Sequence, residues 1–242
     1  MAIAIGTGNI WPAQNTATPY DAAITPGATP NGVCVIIVQT TVTDLVTSVT
    51  YGTGAGQVPL SRAASPYGFA TESTEAGGVY IYWAGDSAVF PSGTQTVRVV
   101  RTGTTAIRMV VWTMTVTAGQ QVQLDSGATG TSASVANPSW THTSLANDVV
   151  AFLGIHSGLQ TMTTTPATNW TRAVGNTTSE DISATGRGWA ERTLATAGAL
   201  APGWTAGTAD DFRGCSIAFK EGAPPPPPAA LPILVMAPPR PA

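Results

Sequence analysis

The chain has 242 residues, of which 43% are hydrophobic and only 10% charged, with a net charge of −3 at pH 7. That is long enough for one large or two smaller folded units, and a surface so short of charge must be covered by Thr, Ser, Asn, Gln, Gly and Ala. The faintly acidic balance offers no attraction to DNA, RNA or anionic lipid, so neither a nucleic acid nor a membrane is expected as a partner.

Residues 1–32 begin MAIAIGTGNIWPAQ, without a basic start and broken by Gly6, Gly8 and Pro12, so they do not read as a secretory signal. Pro12, Pro19, Pro26 and Pro30 keep this stretch out of sheet interiors, and it is expected to be an extended N-terminal arm. From residue 33 the apolar stretches are short, β-branched and stopped by Gly, Pro, Asn or Asp, the pattern of strands and turns. Strands are predicted at 33–39, 45–51, 79–84, 95–101, 107–117, 148–155, 187–194 and 214–220. No window carries a helical apolar period for more than two turns, and no apolar run approaches the roughly 18 residues of a membrane helix.

The expected fold is all-β: a jelly-roll-like, lectin-like antiparallel sandwich over residues 33–221, with the arm before it and a proline-rich arm, 222–242, after it. Alternation sharpens this. Val79, Ile81 and Trp83 share one face of their strand, with Tyr80 and Tyr82 on the other; Ile107, Met109 and Val111 oppose Val110, Trp112, Met114 and Val116. A strand apolar on both faces is buried on both, by a second sheet on one side and by a long loop or another subunit on the other.

Residues that could carry chemistry are sparse. His142 and His156 are the two histidines, too few for a catalytic zinc unless a carboxylate such as Asp148 joins them, and they are expected to be satisfied histidines at strand ends. Glu180–Asp181 and Asp210–Asp211 fall in predicted loops, where solvated carboxylates are the default. YGTGAGQ, residues 51–57, lacks the lysine and following helix of a phosphate loop and reads as a glycine-rich turn. Cys34 and Cys215 lie in apolar runs and are expected to be buried free thiols; a bridge would require the first and last core strands to be adjacent. No catalytic residue, metal or cofactor is expected. Trp140, Trp170, Trp189 and Trp204 lie near turns. Trp140 and Trp170 are the candidate glycan-stacking residues, against the reading that such tryptophans plug the sandwich or bury in a subunit contact.

VTYG (49–52), GGVYIYWA (77–84) and PSGTQTVRVVRTG (91–103), followed by DVVAFLGIHSG (148–158), TPATNWTRAVG (165–175) and the run 186–222 ending CSIAFKEG, resemble a family of β-sandwich virion proteins. These are minor tail and structural proteins of tailed phages that infect actinobacteria. The resemblance spans roughly 33–221 and departs at Thr53, where the family pattern has a second glycine. It implies a non-enzymatic structural protein of the virion, assembled in the bacterial host cytoplasm and placed in the tail tip or baseplate. The implied partners are other virion proteins and copies of itself in three-fold or six-fold arrangement. The alternatives are a capsid decoration protein and a module that binds host cell-wall glycan.

The C-terminal arm completes the expectation. Pro224–Pro228 should form polyproline II, roughly 3.1 Å per residue, a stiff strut of about 15 Å. Beyond it, Leu231, Ile233, Leu234, Val235 and Met236 are expected to insert into a groove, or add a strand, on a neighbouring subunit. Burying them is worth roughly 6–12 kcal/mol before ordering costs.

Overall fold

The structure is a computed structural model. It describes residues 3–6, 9–41, 43–64, 69–72, 77–85, 88–157, 162–173, 186–206 and 208–224.

The first half of the chain contributes β1 (Ala4–Ile5), β2 (Asn9–Asn15), β3 (Tyr20–Ile24), β4 (Gly32–Gln39) and β5 (Val46–Tyr51), then β6 (Val58–Arg62), β7 (Phe69–Glu72), β8 (Gly77–Ala84), β9 (Gln95–Arg101) and β10 (Ile107–Thr115). They form one antiparallel sheet in the order β1-β10-β4-β8-β6-β5-β9-β3, with β2 also on β10 and β7 also on β8. The second half contributes β11 (Gln121–Val135), β12 (Thr143–Ser144), β13 (Val149–Ser157), β14 (Met162–Pro166) and β15 (Thr171–Arg172), then β16 (Arg187–Leu194), β17 (Gly198–Ala199), β18 (Trp204–Ala206) and β19 (Asp210–Gly222). Five of these make a second sheet, β11-β19-β13-β16-β15, while β12 with β17 and β14 with β18 form two short ladders. The chain is thus an all-β, jelly-roll-like antiparallel sandwich, and each sheet is built from one half of the sequence.

The two sheets pack through a shared core. Ile36, Val38, Val79, Ile81, Val110 and Trp112 meet Val150, Phe152, Trp189, Ile217 and Phe219. Trp112 stacks on Phe152 with ring centroids 4.5 Å apart. Gly154 lets the sheets come this close, because a Cβ there would sit 2.5 Å from Ile36 Cγ2. The Trp112 indole N–H donates to Glu191 Oε2 at 2.7 Å, which gives an indole inside the core a partner. Burial raises the Glu191 carboxyl above its ordinary range, and the indole hydrogen bond only partly offsets this.

The parity read from the sequence holds: Ile107, Met109 and Val111 face away from the shared core, as do Tyr80 and Tyr82. What covers them differs from the expectation of a loop or a subunit. The first sheet curls into a half-barrel, so that β3, β5 and β9 bring Tyr20, Ile24, Val49, Tyr51, Val97 and Val99 over these residues. On the far side of the second sheet a loop cover does form. Val149, Ala151, Leu153 and Ile155 are covered by Trp170 and Leu200, on turns between the long strands, and by Trp204, which begins the short β18.

All eight predicted strands are present with ends shifted by a few residues. Within residues 1–32, the stretch expected to be an extended arm, Tyr20–Ile24 is a sheet strand paired to β9 at the sheet edge, and the Asp21–Arg98 ion pair (2.6 Å) joins the two on the exposed side. β11 was not predicted. Its sequence, QVQLDSGATGTSASV, has no apolar alternation because it pairs only with β19 among the described residues, and of residues 121–131 only Val122 is buried.

Candidate docking surface

Leu231, Ile233, Leu234, Val235 and Met236, the expected anchor, lie outside the described residues. The place where that segment leaves the sandwich is described. β19 ends with Glu221 opposite Val122 and Gly222 opposite Gln121, and the Gln123 side-chain amide donates to the Ala223 carbonyl at 3.1 Å. Gly85 rests against Val122 so closely that a Cβ on it would lie 2.6 Å from the Val122 carbonyl oxygen. Two residues before Gly85 in the chain, Trp83 tilts over Phe219 with ring centroids 5.1 Å apart. The last described residues therefore depart beside the end of β8.

A groove opens at that end. β6 pairs with β8 only at Ser61–Trp83 and Arg62–Tyr82, so the start of β6 and the end of β8 diverge. Val58, Pro59, Trp83, Ala84, Gly85 and Ala88 line a space of about 470 Å³, and Val89 next to it is 87% exposed. No lining residue carries a charge. A tryptophan and a proline on the walls of an uncharged groove suit an extended apolar or proline-rich segment, which can stack on the indole and lose little entropy on docking.

The tryptophans singled out by the sequence do other work. Trp170 is buried, and its Nε1–H donates to the Leu200 carbonyl at 2.9 Å. Only 6% of it is exposed, so no ring face is open to a sugar. Trp140 is half-buried and spans Gly130 and Gly214, where a Cβ would come within 2.6 and 2.4 Å of its ring atoms. Trp189 and Trp204 are buried as well. In the structure these residues plug cores.

Trp140 also begins a buried hydrogen-bond chain. Its Nε1–H donates to Ser216 Oγ (3.1 Å), Ser216 Oγ lies 2.8 Å from His142 Nδ1, and His142 Nε2 lies 3.1 Å from Ser126 Oγ. Ser126 donates to Asp125 Oδ2 at 3.0 Å, and the Leu145 amide donates to the same oxygen at 2.9 Å. Because the indole can only donate and the carboxylate can only accept, each hydroxyl passes its proton toward Asp125, which assigns the Nε2–H tautomer to His142. A serine beside a histidine invites a hydrolase reading. Ser216 is fully buried and His142 is 2% exposed, so a substrate carbonyl has no approach. Burial lowers the imidazole pKa to about 4, with the Asp125 charge opposing.

Glu180 and Asp181 lie outside the described residues, while Asp210 accepts a hydrogen bond from the Ser157 hydroxyl. Among the described residues no three His, Cys, Asp or Glu side chains gather as a metal site. YGTGAGQ leads from β5 into a 3₁₀ turn at Gly54–Gly56, with φ of +113° at Gly52. Cys34 and Cys215 are free and buried in the shared core, and burial pushes both thiols up.

Sequence reasoning passed over Arg108, Arg187 and Arg213, all buried. The signal was parity. Each stands in register with the apolar face of its strand: Arg108 with Val110 and Trp112, Arg187 with Trp189, Arg213 with Cys215 and Ile217.

No protein-family model matches the sequence, and no curated protein is significantly similar to it. Among solved structures the chain is similar to that titled "Crystal Structure of the STIV MCP", at 9% identity and a TM-score of 0.32, over 89% of this chain and 96% of that one. A likeness of that degree carries no argument about function.

Proposed function

We propose that this chain is a non-enzymatic structural component of a tailed-phage virion, a minor tail protein of the tail tip or baseplate. It assembles in the host cytoplasm and is held to neighbouring subunits by its C-terminal arm. The observation that carries this reading is the uncharged Trp83 groove beside the point where the arm leaves β19. Proline-rich and apolar, the arm has the chemistry the groove receives, and a copy related by three-fold or six-fold symmetry would offer its groove to the next arm. The low charge of the chain and the burial of its Ser216–His142 pair agree with a role in packing rather than catalysis.

Deleting residues 223–242 should leave a folded, soluble domain that no longer enters particles. Ser61→Arg, at an exposed position on the groove wall, should have the same effect on assembly by filling the groove with a charged side chain, while the melting temperature stays where it was. If the truncated chain assembles as well as the full one, the arm is not the anchor. A low-resolution particle map with this subunit labelled separates the tail tip from the capsid surface. Pull-down on host cell wall tests glycan binding, a reading that the burial of Trp170 does not favour.

A further inference from the structure

The second sheet ends on β11, whose outer edge meets no other strand among the described residues. At fifteen residues it is also the longest of the described strands. An open edge presents a row of backbone N–H and C=O groups that will pair with any strand able to reach it, and folded proteins guard against this. The other edges here are guarded. β1 and β15 are two residues long, β7 has four, and β2 contains Pro12. β3 runs between Pro19 and Pro26, with the Asp21–Arg98 ion pair on its exposed side.

β11 carries such guards at two points only. Its register on β19 slips between Leu124 and Ser126 and again between Ser132 and Val135, and a bulge of this kind turns an edge away. Between the slips the ladder runs unbroken, from Ser126 opposite Ala218 to Ser132 opposite Phe212. These seven residues, SGATGTS, span about 23 Å and include no proline, no charge and nothing larger than threonine. Ser126 to Gly130 are half-buried and Thr131 is exposed, so the run is open to solvent. The nearest charge in the strand, Asp125, is turned inward: its side chain is fully buried, 4.0 Å from Lys220 Nζ.

Two features of the run select its occupant. A strand that pairs with its own copy sets like charge against like charge and bulk against bulk unless it is neutral and small. Residues 126–132 are both. The C-terminal arm suits the edge less well, because Pro232 and Pro238 leave it only five consecutive amide donors between them. We propose that two copies of this chain pair through β11, antiparallel about a two-fold axis at Thr129, so that Ser126 of one faces Ser132 of the other. Seven residue pairs exchange about six to eight backbone hydrogen bonds, and the two five-stranded sheets become one of ten strands. The contact is closed and uses the same patch on both copies. It involves none of the residues that line the Trp83 groove, so it stands independently of the virion reading.

The test is sedimentation velocity on the full chain over a concentration series, with hydrogen exchange followed at both ends of the series. A monomer–dimer equilibrium with a dissociation constant of about 10–100 μM is expected, because a single ladder is a small interface. Amides of 126–132 should be better protected in the concentrated sample, and those of β3 should not change. Thr131→Lys should weaken the dimer at least tenfold while the dilute protein melts where it did. Thr131→Glu should do the same, which separates a blocked ladder from a change in net charge. Deleting 223–242 should leave the equilibrium in place. A chain that stays monomeric up to about 1 mM overturns the proposal, as does a dimer indifferent to both substitutions. Loss of the dimer on deleting 223–242 overturns it too, since the arm would then be what joins the copies.

Discussion

The half-barrel core and the loop-covered core lie on opposite outer sides of the shared one, and they are closed by different means. In the first, β9 reads buried and half-exposed in strict alternation, so a continuous hydrogen-bonded strand supplies Val97 and Val99 to the lid. In the second, Trp170 and Trp204 reach down from segments whose own ladders are two to five residues long. A sheet lid is held by every backbone bond along it, so opening it means breaking the fold. A tryptophan lid is held by the plug itself and a few contacts, so it can open locally. The contrast also shows why a strand apolar on both faces does not call for a second subunit: β4, β10 and β13 are buried along both faces by this chain alone.

The largest expected effects separate the two lids. Trp170→Ala should cost about 3–5 kcal/mol, because it removes the plug and one of the two donors to the Leu200 carbonyl, the other being the Arg192 guanidinium. Hydrogen exchange should then rise in 162–173 and 198–206 while β4 and β10 stay protected. Met109→Ala, in the half-barrel core, should cost about 2–5 kcal/mol and lower protection everywhere. Uniform loss in both variants would erase the distinction.

The next effect is on pH dependence. His142, on the loop-covered side, is neutral in the fold with a pKa of about 4, against an ordinary 6.5. Between these values the unfolded chain binds the proton that the folded one refuses, so stability should fall as the solution is acidified from about pH 6.5 to 4. The loss from this residue is about 3 kcal/mol. His156, lowered to about 3, acts in the same direction. Denaturant midpoints across this range, compared with His142→Gln, would show the slope shrinking in the variant; an unchanged slope would mean that His142 is not the group concerned.

Gly214→Ala is expected to cost about 1–3 kcal/mol, since its methyl group would press on the Trp140 ring. The smallest effect has the opposite sign. Ala201, whose carbonyl accepts a second bond from Trp170, has φ of +43°, and Ala201→Gly should stabilise the protein by about 0.5–1 kcal/mol on thermal denaturation.

How much of this was legible in the sequence follows from what each strand buries. β4, β10, β13 and β19 announce themselves through β-branched runs, and even the division of Ile107, Met109 and Val111 from Val110, Trp112 and Met114 could be read. β11 could not, because an edge strand with half-exposed side chains has no apolar pattern to show. The curl of the first sheet was also hidden: alternation says that a face is covered, not that the same sheet bends round to cover it. The Trp83 groove depends on two strands diverging, which leaves no mark in either. The buried arginines did leave one, a single charge in phase with an apolar face on each of three strands, but only pairing shows that Arg213, His156 and Arg187 stand side by side.

The division of the two sheets between the two halves of the sequence bears on the chain's birth. Once residues 1–120 have cleared the ribosome, every strand of the half-barrel sheet is free, closed by the turn in which the Gln120 amide donates to the Thr117 carbonyl. The face bearing Ile36, Val38, Val110, Trp112 and Met114 is then complete and has nothing to rest on. Its covering strands end about 100 residues later, an interval of roughly 5–20 s at ordinary synthesis rates. For that time the nascent chain displays a sticky apolar plane, and translation speed and chaperone capture over the second half of the message govern how much of the protein reaches its folded form.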